Sequence, residues 1–205
     1  MESYVTVHHQ ASFEYEDRKS IFIGEARPVS TEEEALSFIE SVKKKYPDAR
    51  HHVYAYVLRN NSTMRFTDDG EPQGTAGMPV LDVIRKNGIT DVAIIVTRYF
   101  GGTLLGTGGL VRAYTAAALG AIKEAEIITY DIYTTLSIEA TYSDYQKFAP
   151  IFQETGYRNE NVRYADKVIL IGSVRKVNLD DLTDKLVQAT SGRVNINIID
   201  KKFDF

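Results

Sequence analysis

The sequence contains no cysteine. Disulfide bonds, thiolate metal sites and cysteine nucleophiles are therefore excluded. No apolar run approaches the roughly 20 residues that a membrane-spanning helix requires. The N-terminus lacks a basic start followed by an apolar core, so we expect no signal peptide. Together these absences predict a cytoplasmic protein without a membrane partner.

An excess of positive charge is also missing. The formal net charge is −4 at pH 7, and acidic residues outnumber basic ones in both residues 1–127 and 128–205. A protein that is held to nucleic acid mainly by phosphate contacts carries a broad basic face. Any contact of this chain with nucleic acid is therefore expected to be local.

Several motifs that carry catalysis or nucleotide binding are absent as well. The chain has no Gly-x-Ser-x-Gly nucleophile elbow and no His-Glu-x-x-His metallopeptidase motif. Its glycine-rich turn is not followed by the Gly-Lys-Ser/Thr of a P-loop. The sequence therefore designates no catalytic residue, and we expect no cofactor.

The periodicity of apolar residues changes near Ile128 and divides the chain into two halves. The pattern in residues 1–127 predicts strands at Tyr4–His9, Ser20–Val29, His52–Leu58, Thr63–Thr67 and Asp91–Tyr99, and helices after Ser30 or Thr31, around Val80–Ile84 and over Leu110–Glu126. A turn at Asn60-Asn61 is expected to join two of these strands. The pattern in residues 128–205 predicts strands at Ile128–Ala140, Tyr157–Tyr164, Lys167–Val174 and Arg193–Lys201, and helices at Ser143–Thr155 and Leu179–Thr190. This β-α-β-β-α-β order is that of a ferredoxin-like domain, and the fold class of the whole chain is α+β.

Two glycine-rich segments adjoin predicted helix starts. The first is Asp68-Asp69-Gly70-Glu71-Pro72-Gln73-Gly74-Thr75-Ala76-Gly77, and the second is the turn Gly101–Gly109. Glycine allows backbone amides to approach a ligand closely and permits positive φ. A glycine turn before a helix resembles an anion cradle. The alternative is a tight crossover from strand to helix that needs glycine for packing.

Two arginines, Arg98 and Arg112, flank the second segment. Arginine suits bidentate recognition of phosphate or carboxylate. If the turn folds the helix back along the strand, both guanidinium groups face one pocket, with Tyr99 or Phe100 as stacking surfaces for a base. The alternative is that one arginine pairs with an acidic residue of the first segment and only fastens the loop.

Acidic and histidine clusters offer two further chemistries. Three carboxylates at Asp68, Asp69 and Glu71 have the oxygen ligands that Mg²⁺ or Ca²⁺ prefers, but Asp-Asp-Gly is more typical of a turn whose side chains accept from backbone amides. The pairs His8-His9 and His51-His52 lie on predicted strands, where adjacent side chains point to opposite faces. Neither pair is then able to chelate an ion alone, although one histidine from each would meet if their strands were neighbours. We expect no metal site.

Long stretches of the first half resemble a known signature. These stretches are Tyr46-Pro47-Asp48-Ala49 with His51-His52, Asp68-Asp69-Gly70-Glu71-Pro72, Gly74-Thr75-Ala76-Gly77, Val96-Thr97-Arg98-Tyr99-Phe100-Gly101-Gly102, and Gly106-Thr107-Gly108-Gly109-Leu110-Val111-Arg112-Ala113-Tyr114. From its resemblance to these motifs, the chain is identified as a member of the IMPACT family, in its bacterial two-domain, YigZ-like branch. It departs from the pattern at Leu104, where many relatives carry a lysine.

The resemblance implies two domains. Residues 1–127 would form an IMPACT-type domain of the βαβ kind found in a small-subunit ribosomal protein and in the fourth domain of elongation factor G. Residues 128–205 would form a ferredoxin-like domain similar to the last domain of that factor. The resemblance also implies a connection with translation, because eukaryotic relatives act in translational control under amino-acid starvation, and the bacterial branch is usually linked to nucleic acid or the ribosome.

The leading hypothesis is a translation-associated regulatory or binding protein that recognises RNA, the ribosome or another phosphate-bearing ligand. The residues expected at the ligand are Arg98, Tyr99, Gly101, Gly102, Gly106, Gly108, Gly109 and Arg112, supported by Asp68, Asp69, Glu71 and Thr75 of the acidic loop. One alternative is an enzyme acting on a small phosphorylated or carboxylated metabolite. Another is a protein–protein regulator of a stress-response pathway.

Overall fold

The computed structural model describes residues 3–59 and 62–205. Its strands are β1 (Tyr4–Val7), β2 (Ala11–Asp17), β3 (Ser20–Pro28), β4 (His51–Leu58), β5 (Thr63–Thr67), β6 (Val92–Tyr99), β7 (Ile127–Ala140), β8 (Arg158–Tyr164), β9 (Val168–Arg175) and β10 (Asn195–Asp204). Its helices are α1 (Glu32–Lys45), α2 (Gly77–Lys86), α3 (Gly106–Glu124), α4 (Tyr142–Tyr145), α5 (Phe148–Thr155) and α6 (Leu179–Thr190). The turn predicted at Asn60-Asn61 lies outside the described residues. The chain forms two compact units, Tyr4–Thr129 and Tyr130–Phe205.

The first unit is built on a five-stranded antiparallel sheet in the order β2-β3-β6-β4-β5. The central strand β6 is apolar and almost completely buried, as its sequence predicts. Strand β2 was missing from the prediction. It forms a hairpin with β3 through Arg18 and Lys19, whose φ values of 47° and 64° are those of a two-residue turn that matches the strand twist.

Helices cover both faces of this sheet. One apolar cluster lies between the sheet and helices α2 and α3, and a second lies between the sheet and α1. The predicted alternation along β4 is confirmed, because Val53, Ala55 and Val57 belong to the first cluster and Tyr54 and Tyr56 to the second. In the part of the chain that the structure describes, no helix has both the length and the apolar character needed to cross a membrane.

The second unit confirms the ferredoxin-like prediction. Its four strands pair antiparallel in the order β10-β7-β9-β8. Along the chain, helices follow β7 and β9. The single helix predicted over Ser143–Thr155 is instead broken into α4 and α5. Pro150 explains the break, because a proline has no amide hydrogen for the carbonyl four residues earlier and its ring clashes with that group.

Candidate functional site

The acidic loop before α2 is folded around the side chain of Asp68. Its carboxylate accepts hydrogen bonds from the amides of Gly74 at 2.8 Å, Ala76 at 3.1 Å and Gly77 at 2.8 Å. Helix α2 begins at Gly77 and receives no capping bond from the side chain of its own N-cap residue, Ala76. Asp68 therefore caps α2 from nine residues upstream and supplies the negative charge that a helix start prefers.

Asp69 connects the same loop to the start of β4, where His51 and His52 lie. Its carboxylate accepts from the amide of His52 at 2.5 Å, and its carbonyl accepts from Nδ1 of His51 at 2.8 Å. The backbone makes this possible by turning through positive φ at Asp69 (44°) and at Gly70 (83°). His52 itself is buried with Nδ1 3.1 Å from Oγ1 of Thr97, and burial lowers the pKa of its imidazole below the ordinary value.

Glu71 lies at the centre of a buried polar cluster. Its Oε1 accepts from Nη1 of Arg98 at 2.6 Å and from the hydroxyl of Tyr114 at 2.7 Å. The side chains of Glu71 and Arg98 are only 4% and 7% exposed. Burial, and then the adjacent carboxylate, raise the pKa of Tyr114 far above its ordinary value, so this phenol remains a donor. The cluster joins the acidic loop, β6 and α3.

Arg98 was predicted to face the ligand, with pairing to an acidic residue of the loop as the alternative. The geometry favours the alternative, because its guanidinium is paired to Glu71 and lies 5.4 Å from the ring centroid of Phe22 and 5.7 Å from that of Phe100. Its Nε is buried and has no hydrogen-bond partner among the described residues. Arg98 thus connects β6 to the acidic loop through its ion pair with Glu71.

The contacts of the acidic loop do not leave three free carboxylates for a metal ion. Asp68 and Asp69 accept from backbone amides, and Glu71 accepts from a buried arginine and a tyrosine. Thr75 is buried and supports the loop, because its hydroxyl and its amide both donate to the carbonyl of Pro72, at 2.6 Å and 3.0 Å. These residues shape the loop through their internal hydrogen bonds, as the turn interpretation predicts.

Gly101 begins the second glycine-rich segment in a place where only glycine fits. Its amide donates to Oγ of Ser20 at 3.1 Å. A Cβ at this position would lie 2.1 Å from the carbonyl carbon of Lys19, which is backbone and has no room to move. The packing alternative therefore holds at Gly101. Gly102 and Gly106 follow with φ of 83° and 71°, and there the backbone conformation rather than packing favours glycine, because a Cβ at either position would meet nothing within 4 Å.

The second half of the segment is helix and not loop, which corrects the predicted start of α3 at Leu110. Gly106 to Gly109 form the first turn of α3. Leu105 at the N-cap supplies no side-chain hydrogen bond, and the first turn has no acidic residue. Gly106, Thr107 and Gly108 are exposed. The amides at the start of a helix lack intrahelical partners and carry the positive end of its dipole, so this end of α3 is open to an anion.

Arg112 extends over the open end of α3. The residue is exposed, and its Nη1 would lie 3.6 Å from a Cβ placed on Gly108. Side chains on a helix point back toward its N-terminus, which explains how a residue four positions later covers the first turn. Among the described residues Arg112 has no ion pair, so its guanidinium and the amides of the first turn are available to the same anion.

Tyr99 does not join this arrangement. Successive side chains of a strand point to opposite faces, so Arg98 faces the cluster under α3 and Tyr99 faces the other side. There the hydroxyl of Tyr99 donates to Oδ1 of Asp48 at 2.9 Å, and burial followed by this bond raises the pKa of the phenol. Phe100 is 52% exposed and remains the aromatic surface nearest to the glycine segment in sequence.

The two histidine pairs are apart in the structure. His51 and His52 lie on β4, between β6 and β5, and contact Asp69 and Thr97. His8 and His9 follow β1, and their amides donate to carbonyls at the end of α3. A histidine of the first pair therefore does not lie near a histidine of the second pair, and the two pairs do not share a metal site.

Comparison with known proteins connects this geometry to a family. The model for the Impact N-terminal domain matches residues 18–122, and that for a domain of unknown function, DUF1949, matches residues 138–193. The first match contains the acidic loop, β6 and the start of α3. The acidic loop, the buried cluster of Glu71, Arg98 and Tyr114, and Arg112 therefore lie within the Impact N-terminal domain.

Individual relatives match over nearly the whole chain. IMPACT family member YvyE of Bacillus subtilis is 32% identical over 96% of this chain and 91% of its own length. IMPACT family member YigZ of Escherichia coli is 30% identical over 98% and 100%. Rabbit Protein IMPACT is 31% identical over 44% of this chain and 30% of its own length.

A solved structure described as that of a hypothetical protein supports the same assignment. It is 30% identical, with a TM-score of 0.61 over 98% of each chain. Its agreement extends over both domains of the α+β fold. The chain belongs to the IMPACT family.

Proposed function

We propose that this protein is a cytoplasmic, translation-associated binding protein that recognises a phosphate group of RNA, the ribosome or another ligand at the start of α3. The observation that carries the proposal is the open first turn of this helix, with the exposed Arg112 above it. Helix-start amides and a guanidinium group both favour a phosphate oxygen. The link to translation rests on family resemblance.

The buried cluster supports this site from below. Tyr114 lies on α3, two turns after the helix begins, and it is hydrogen-bonded to Glu71, which in turn holds Arg98 of β6. A site that is fixed before its ligand arrives loses less conformational freedom on binding. The role of Arg98 in the proposal is therefore to position α3 and the acidic loop, and the ligand-facing charge belongs to Arg112.

The proposed contact is small. The net charge of −4 gives no broad attraction to nucleic acid. The exposed side chain at position 104, where the family resemblance implies a lysine in many relatives, is a leucine. A single guanidinium with a few amides binds one phosphate and not a long stretch of backbone. No specific observation favours an enzyme, because the carboxylates of the acidic loop already accept hydrogen bonds from other groups of the protein.

Inorganic phosphate is expected to bind at the start of α3. In a nuclear magnetic resonance titration with inorganic phosphate, the amide signals of Gly106, Thr107 and Gly108 are expected to shift together, because their hydrogens would meet the anion. Arg112→Ala is expected to weaken this binding by roughly three- to tenfold, because a typical hydrogen bond contributes about 0.5–1.5 kcal/mol and solvent screens the charge of an exposed group.

A matched control is Arg163→Ala. Arg163 is another exposed arginine, and it lies on β8 in the second unit, so its removal changes the net charge equally. Phosphate binding is expected to remain as in the unmodified protein. Equal weakening by both substitutions, or the absence of shifts in the first turn of α3, would count against a site at this helix start.

A further inference from the structure

A cluster of His8, His9 and Glu126 lies at the C-terminal end of α3, opposite the proposed phosphate site. Strand β1 ends at Val7, and the two following histidines form a bend and do not continue the strand. The amide of His8 donates to the carbonyls of Ala125 at 3.0 Å and Glu126 at 2.8 Å, and the amide of His9 donates to Ala125 at 3.2 Å. The backbone of both histidines is thereby fastened to the C-terminal end of the helix.

The bend brings three possible ligands together. The ring centroids of His8 and His9 are 5.5 Å apart, and Nδ1 of His8 lies 3.5 Å from Oε2 of Glu126. One ligand atom from each of these three residues lies within 4.8 Å of the other two. The expectation that His8 and His9 point to opposite faces was wrong, because that rule holds only for an extended strand.

Two imidazole nitrogens and one carboxylate oxygen form a ligand set that suits Zn²⁺. Zinc binds such atoms at about 2.0–2.2 Å, so two ligands of a tetrahedral ion lie roughly 3.3 Å apart. The 3.5 Å between Nδ1 of His8 and Oε2 of Glu126 is already close to that value. All three residues are exposed, so small rotations are unhindered and water has access to the remaining position.

The location of the cluster adds a second favourable factor. The C-terminal end of a helix carries the negative end of its dipole, which attracts a cation. Helix α3 has 19 residues, so this end lies roughly 28 Å from its start at a rise of about 1.5 Å per residue. The cluster is therefore separate from the proposed phosphate site and does not depend on it.

From this geometry we infer that His8, His9 and Glu126 form a binding site for a zinc ion. The ion replaces the direct contact between His8 and Glu126 with bonds to both. It thereby ties the segment after β1 to the end of α3. Water occupies the fourth coordination position, as in zinc sites with three protein ligands.

The test is isothermal titration calorimetry of the full chain, without an affinity tag, with zinc chloride. The unmodified protein is expected to bind one ion per chain. His9→Ala and Glu126→Gln are each expected to weaken binding by about tenfold or more, since even residues that only support a metal ligand contribute about that much. Because these side chains are exposed, both variants are expected to keep the unmodified circular dichroism spectrum.

Glu124→Gln provides the matched control. Glu124 is exposed near the same end of α3 but is not part of the three-residue cluster, so zinc binding is expected to stay unchanged. The inference is overturned if the unmodified chain binds no zinc, or if Glu126→Gln binds as tightly as Glu124→Gln. Binding that falls equally in both glutamine variants also overturns it, because a general charge effect would then explain the result. None of these outcomes affects the phosphate site at the other end of the helix.

Discussion

Glu71→Gln is expected to lower the free energy of unfolding by about 3–5 kcal/mol, the usual effect of removing one partner from a buried ion pair. Arg98 is 7% exposed and paired to Glu71 at 2.6 Å. A glutamine of the same size would leave the guanidinium charged, buried and without a counterion. The measurement is guanidinium denaturation followed by circular dichroism.

An exposed ion pair on the same unit provides the control. Lys43 and Glu40 are 3.1 Å apart on α1 with both side chains more than a third exposed, so Glu40→Gln is expected to change stability by less than about 0.5 kcal/mol. The double substitution Glu71→Leu/Arg98→Met should recover part of the loss, because no buried charge remains. If Glu71→Gln were as harmless as Glu40→Gln, the buried cluster would not be what holds the loop.

Gly24→Ala is the second substitution with a large expected effect. Gly24 lies in β3 beneath α3, and an added Cβ would be 2.4 Å from the carbonyl oxygen of Ala117 and 2.9 Å from its carbonyl carbon. These atoms belong to the helix backbone, so the helix as a whole must shift. We expect a loss of about 1–3 kcal/mol or more, as for overpacking in a tightly packed core.

Gly108→Ala should act in the opposite direction. Near a Cβ at this position the structure places only the flexible end of Arg112, at 3.6 Å. Alanine is favoured over glycine in a helix by about 1 kcal/mol, so the variant should be as stable as the unmodified protein or more so. Thermal unfolding of the two variants side by side measures this difference. Equal destabilisation by both would contradict the close approach of β3 and α3.

Local sequence patterns predicted most of the fold. The alternation along β4, the apolar run of β6 and the ferredoxin-like order of the second unit all depend on neighbours in the chain, and each is confirmed. Strand β2 was missed although its sequence carries a local signal. Ala11, Phe13 and Tyr15 are half-buried and alternate with the exposed Ser12, Glu14 and Glu16, which is the pattern of a strand with one face toward the core.

The site was harder to predict because its contacts are long-range. The pairing of Arg98 with Glu71 joins residues 27 positions apart, and nothing in either segment specifies which acidic residue is chosen. The position of Tyr99 was accessible to sequence reasoning, since strand alternation alone places it opposite Arg98. The helical state of Gly106–Gly109 was not, because glycine disfavours helices.

The most direct test of the proposed function is co-sedimentation of the full chain with ribosomes across a salt series, beside Arg112→Ala and Arg163→Ala. We expect binding that weakens with salt, is reduced by Arg112→Ala and is retained by Arg163→Ala. Loss of one phosphate contact should flatten the dependence of log affinity on log salt by about 0.7–0.9. Absence of binding at low salt would contradict the ribosome as the partner. Binding indifferent both to salt and to Arg112 would contradict phosphate recognition at α3 and would favour a protein–protein regulator.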